Sequence, residues 1–108
     1  MTADVLMVPA DTAALIDYQN DSVVSRILLK KATGSVTVFA FAEGEGLSEH
    51  STPHDALVLI LDGRAEITIG GEQHLTEAGQ ALLLPADIPH ALHAPGPFKM
   101  LLIMIRSA

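Results

Sequence analysis

The sequence predicts an all-β fold, on three observations. Short apolar runs alternate with clusters of turn residues, the pattern of strands joined by tight connections. No stretch sustains an apolar repeat of 3.6 residues, as a helix packed on a core would. The chain has 108 residues, of which 49% are hydrophobic but only 4% aromatic. Its core is therefore aliphatic, and its length fits one domain able to bury a core of its own.

The elements follow in order. Residues 1–20 are the least regular part, and Asp11–Asp17 fits either one helical turn capped by Asp11 or a short edge strand. Strands are expected at Val23–Lys30, Ser35–Ala42, Leu47–His50, Ala56–Leu61, Arg64–Ile69, Gln73–Thr76, Ala81–Leu84, His90–Ala94 and Phe98–Ile105. Thr33-Gly34 and Pro95-Gly96-Pro97 punctuate them. Asp62-Gly63 and Gly70-Gly71 sit between β-rich runs, where tight hairpins need positive φ.

Composition excludes several classes of function. Thirteen acidic residues face six basic ones, for a formal charge of −7. The largest basic cluster is Lys30-Lys31, so a phosphate backbone would be repelled and nucleic acid is not an expected ligand. The longest apolar runs, Ala56–Leu61 and Met100–Ile105, are far short of the roughly 20 residues a membrane helix needs. Met1–Val5 lacks the basic region of a signal peptide. There is no Cys, hence no disulfide framework, thiol nucleophile or Cys-type zinc site. A cytoplasmic protein that uses no membrane is the simplest expectation.

Alternation within the strands assigns faces. In Arg64–Ile69, Ala65, Ile67 and Ile69 point inward and Arg64, Glu66 and Thr68 outward. Ala56–Leu61 and Met100–Ile105 are apolar on both faces, so each needs cover on two sides. One side is the interior; the other is an N-terminal segment or a second subunit, and a homodimer is expected. Phe39 and Phe41 share one face of their strand, and Phe98, Met100, Leu102 and Met104 share one of theirs, without alternation fixing which face is internal.

The spacing of Gly, His and Pro is more specific. Gly44 is followed after five residues by His50, then Thr52, Pro53-His54-Asp55, Ala56, and after six more Gly63. After fifteen intervening residues comes Gly79, then Pro85, Asp87, His90 and Ala94. This resembles the two motifs of the cupin superfamily, G-x5-H-x-H-x3-4-E-x6-G and G-x5-P-x-G-x2-H-x3-N, over roughly residues 35–105. The resemblance implies a single jelly-roll barrel, a double-stranded β-helix, over residues 23–108 with an N-terminal extension over 1–22.

In metal-binding cupins the two His and the Glu of the first motif and the His of the second hold one divalent ion inside the barrel. His50 and His90 stand at the first and last of those positions; Thr52 and Ala56 stand where the second His and the Glu would be. A divalent transition metal (Fe, Mn, Zn or Ni) would then need a third protein ligand. His54 is the candidate, although residues four apart on a strand lie about 13 Å from one another, so the chain would have to turn sharply at Pro53. Without a metal, His50 and His90 are polar groups of a pocket, bonding each other, Thr52 or a ligand. His93 falls on the opposite face from His90, and His74, near a hairpin, reads as solvated.

If position 56 faces inward, Val58 and Ile60 do so as well, and Leu57, Leu59 and Leu61 face outward. The pocket expected from Thr52, Ala56, Val58 and Ile60 is aliphatic with a few imidazoles and hydroxyls, which suits a small, mostly apolar ligand. Two functions follow: a small-molecule binding module with a degenerate metal site, or a metal-dependent oxygenase or isomerase using His50, His90 and His54.

Overall fold

Nine strands form among residues 7–107, the residues that the computed structural model describes. The segment Met1–Val5, read above for a leader, lies outside the described residues. The strands are β1 (Val23–Lys31), β2 (Gly34–Phe41), β3 (Gly46–His50), β4 (Asp55–Asp62), β5 (Arg64–Ile69), β6 (Glu72–Glu77), β7 (Ala81–Leu84), β8 (His90–His93) and β9 (Phe98–Ile105). Each lies within one residue at either end of the strand expected from the sequence.

They build two antiparallel sheets, one in the order β1-β2-β9-β4-β7 and one in the order β3-β8-β5-β6. The chain changes sheet at every connection except β1–β2 and β5–β6. Two sheets closed face to face by alternating crossovers make a jelly roll. No helix among the described residues is long and apolar enough to cross a membrane.

The turn glycines do two different jobs. Gly70 and Gly71, at φ 57° and 85°, form the two-residue loop of the β5–β6 hairpin, with Ile69 opposite Glu72. Two positive φ values in such a loop match the right-handed twist of the strands. Gly63 also has positive φ (69°), but Asp62-Gly63 is not a hairpin: β4 and β5 belong to different sheets. It is a corner, and a Cβ at Gly63 would come within 2.2 Å of the Pro97 carbonyl oxygen. Sequence alone reports the need for positive φ, not the pairing on either side of it.

Register settles the face that alternation left open. Phe41 pairs with Phe98, Phe39 with Met100, and Ile60 with Met100, so all three strands turn these residues to the interior. The Phe41 and Phe98 rings stack at 4.4 Å and 9°, and with Ile60, Ile67 and Ala65 they close one end of the barrel. Ala65 and Ile67 are fully buried, as their alternation predicts.

The segment before β1 forms a 3-10 turn at Thr12–Ala14, the helical alternative in shortened form. Asp11 precedes it without a side-chain cap; its carbonyl takes the Ala14 N–H instead. This segment lies on the outer face of the five-stranded sheet. Lys99 donates to the Ala13 carbonyl at 2.6 Å, with its ammonium 4.8 Å from the centre of the Tyr18 ring. Arg26 donates to the Leu15 carbonyl, and the Tyr18 hydroxyl donates to Asp62. Burial and the Asp62 carboxylate push the Tyr18 hydroxyl pKa well above its usual value.

Candidate functional site

The two motif histidines meet at the open end of the barrel. His50 ends β3 and His90 begins β8, directly opposite in the register. Their rings lie 4.5 Å apart at 70°, edge to face. A bulge makes this possible. Leu47 pairs with Leu92 and His50 with His90, so three steps on β3 match two on β8. On a regular strand Leu47 and His50 would face opposite sides; the extra residue turns both to the interior. Both line the same cavity.

Each imidazole is anchored in the same way. The Nδ1 of His50 is 2.9 Å from the Ser48 carbonyl, and that of His90 is 3.3 Å from the Ile88 carbonyl. A carbonyl only accepts, so Nδ1 donates in both rings and the Nε2 lone pair of each neutral imidazole remains free. His90 is 7% exposed. Burial, reinforced by neighbouring His50, lowers its pKa below 6.5 against a smaller opposing effect of the Ile88 carbonyl, so the neutral form prevails at pH 7.

The cavity beneath the pair measures about 90 Å³, and its remaining wall is Thr52, Ala56, Leu47, Leu84, Leu92, Met100, Leu102 and Met104. Ala56 lies opposite Met104 on one side and Leu84 on the other. Thr52 and Ala56 both line this cavity. Val58 and Ile60 point inward as expected but do not line the space: fully and almost fully buried, they are packed into the closed half of the core. Alternation puts Met100 and Met104 on one face of β9 without saying which; the register of β9 against β4 turns that face to the cavity.

His54 does not join the pair. Its Nδ1 accepts the Ser107 N–H at 3.1 Å, which places its proton on Nε2, the reverse of the tautomer in His50 and His90. The chain does turn sharply between His50 and His54. The Thr52 hydroxyl holds that turn, donating to the His54 carbonyl and accepting the His54 N–H at 3.1 and 3.2 Å. The turn sends the His54 ring toward the C-terminal residues, where Ser107 Oγ also donates to the Pro53 carbonyl. Among the described residues no three His, Cys, Asp or Glu side chains gather at one point. Two imidazoles without a carboxylate do not fit a hard divalent ion, which needs at least three such protein ligands.

The other histidines lie elsewhere. His93, exposed, pairs with Glu66 at 2.9 Å on the outer face. His74 is half-buried rather than solvated, because its partner Ile67 fixes it to the inner face of β6. Asp87 adopts φ 66°, where L residues other than Asn and Asp are rare. Its N–H donates to the Thr52 carbonyl at 2.7 Å, and the Ala86 N–H donates to Asp55 Oδ1 at 2.8 Å. These two bonds tie the β7–β8 loop to the β3–β4 loop and to the first residue of β4.

A cupin domain model matches residues 37–105. The chain belongs to the cupin superfamily. The cupin is 38% identical to a conserved protein of unknown function from Streptococcus pyogenes, with a TM-score of 0.89 over 94% of this chain and 89% of that one. It is 34% identical to a cupin superfamily protein from Desulfitobacterium hafniense, again with a TM-score of 0.89, over 93% and 92%. It is also 37% identical over 65 residues to a mannose-1-phosphate guanylyltransferase from Salmonella montevideo, 59% of this chain and 14% of that one. The cupin spans less than half the length of the curated relatives it matches.

Proposed function

We propose that this cupin is a cytoplasmic small-molecule binding module whose lumen pocket takes a small, mostly apolar ligand with one or two polar atoms. The observation that carries this reading is the pocket wall: aliphatic and thioether side chains everywhere except the His50–His90 edge and Thr52. A space of about 90 Å³ is smaller than the ~150 Å³ apolar cavity that holds a benzene ring, so the buried part of the ligand is a few heavy atoms. The test is a fragment screen by ligand-observed NMR on metal-free protein. Short aliphatic alcohols, amines and amides should bind, Ala56→Leu should abolish binding by filling the cavity, and His50→Ala and His90→Ala should weaken it. Unchanged binding in Ala56→Leu, with the melting temperature retained, would place the ligand elsewhere.

The second reading, a metal-dependent oxygenase or isomerase, has the retained imidazole pair in its favour. It lacks a third ligand from His54, and we therefore rank it below. Turnover that requires Fe, Mn, Zn or Ni and is lost in His54→Ala would reverse that order.

We further propose that two copies pair through the outer face of the five-stranded sheet. The N-terminal segment covers the end of that face near Lys99, while Leu29, Leu83 and Ile105 remain 55%, 53% and 63% exposed at the other. Exposed aliphatics of this density on one face are uncommon in a monomer. Analytical ultracentrifugation at micromolar concentration should give a dimeric mass that Leu83→Glu converts to a monomeric one.

A further inference from the structure

The pocket assembles donors that neither reading uses together. His50 and His90 line it with Nδ1 of each held by a backbone carbonyl, two methionines line it, and none of its lining side chains among the described residues is a carboxylate. Each feature points away from a hard divalent ion and toward a soft monovalent one.

Charge comes first. Neutral imidazoles and thioethers leave an ion's charge uncompensated in a wall that is otherwise aliphatic. The cost of desolvating an ion grows with the square of its charge, so a monovalent ion incurs about a quarter of the penalty of a divalent one at the same place. Donor type comes second. Thioether sulfur is a soft, polarisable ligand that selects Cu(I), whereas carboxylate and water suit Mg, Ca and Mn. Placement comes third. Met104 lies opposite Ala56 in the β4–β9 register, the position at which the cupin motif carries its Glu. Ala56 has only a methyl group there, so the long, flexible Met104 side chain has the space that a carboxylate would otherwise occupy. Orientation comes last. Both rings are held through Nδ1–H bonds to backbone carbonyls, the arrangement that fixes tautomer and ring direction in metal-binding histidines.

We propose that this pocket binds one Cu(I) ion through Nε2 of His50, Nε2 of His90 and the thioether of Met104. The site shares its pocket with the small-molecule reading but does not rest on it, since copper is titrated without any organic ligand and the fragment screen uses metal-free protein. The failure of one leaves the other standing.

The test is anaerobic titration of the full metal-free chain with Cu(I) under excess reductant, in competition with a chromophoric Cu(I) chelator. One equivalent should bind. Met104→Leu keeps the apolar volume and should weaken Cu(I) at least about tenfold, as losing a ligand does when even outer-shell changes cost that much. The same variant should leave the much weaker Zn(II) binding of the imidazole pair unchanged, and its circular dichroism and melting temperature should match the parent. His50→Ala and His90→Ala should each abolish stoichiometric binding. X-ray absorption of the copper-loaded protein should show a sulfur neighbour beside two imidazoles. The proposal is overturned if no equivalent of Cu(I) binds, if Met104→Leu binds Cu(I) as tightly as the parent, or if Zn(II) displaces the copper.

Discussion

At the scale of single residues, the two motif histidines show what position implies and what it leaves open. The resemblance of their spacing to the cupin motifs implied that His50 and His90 belong to the barrel interior, because the motif intervals are backbone distances that survive changes of side chain. It did not reveal that both rings donate through Nδ1 and that His54 accepts through its own. Tautomers follow from neighbouring carbonyls and amides, which only the folded chain brings into reach. The lowered pKa of His90 has a consequence for stability. In the unfolded chain this group titrates near 6.5, whereas in the folded barrel it does so at a lower pH. Below 6.5 the unfolded state binds the proton first, so stability falls with pH and levels off once the folded group also titrates. Thermal melts between pH 7.5 and 4.5 should show this decline, and His90→Gln should flatten the part that His90 contributes. Asp87 offers a second check. Its φ of 66° is costly for a branched side chain, so Asp87→Val should destabilise by about 1–3 kcal/mol while Asp87→Gly is close to neutral in chemical denaturation.

At the scale of elements, all nine strands were legible because a half-buried strand writes its period into the sequence and its turns need particular residues. Arg64–Ile69 is the clearest case, with Ala65 and Ile67 buried as alternation requires. Irregularities were not legible. The bulge in β3 leaves no mark in Leu47–His50, yet without it His50 would face outward. Removing Glu49 should restore a regular strand, turn His50 out of the lumen and abolish ligand or Cu(I) binding, with the β content by circular dichroism retained. The corner at Gly63 was read correctly as a positive-φ site and incorrectly as a hairpin. Gly63→Ala meets both an unfavourable φ and the Pro97 carbonyl, whereas Gly71→Ala, at φ 85°, meets no atom within 4 Å. The first should therefore lower the denaturation midpoint well beyond the second, whose cost is about 1–2 kcal/mol of backbone strain.

At the scale of the molecule, the outer face of the five-stranded sheet is divided between the N-terminal segment and exposed aliphatics. Lys99, only 9% exposed, joins the segment to the sheet through the Ala13 carbonyl and the Tyr18 ring. Lys99→Met keeps the apolar stem but removes the donor, and limited proteolysis should then cut within residues 7–22 before the barrel itself. By itself the sequence determined the strands and, through its resemblance to the cupin motifs, pointed to the jelly roll and the two histidine positions, because periodicity, turn chemistry and motif spacing are local properties of the chain. Only the tertiary structure decided which faces are internal, where the cavity ends and which side chains stand around the imidazoles. Those depend on register between strands distant in sequence, as when Ala56 of β4 comes to lie opposite Met104 of β9, and no local pattern records such a pairing.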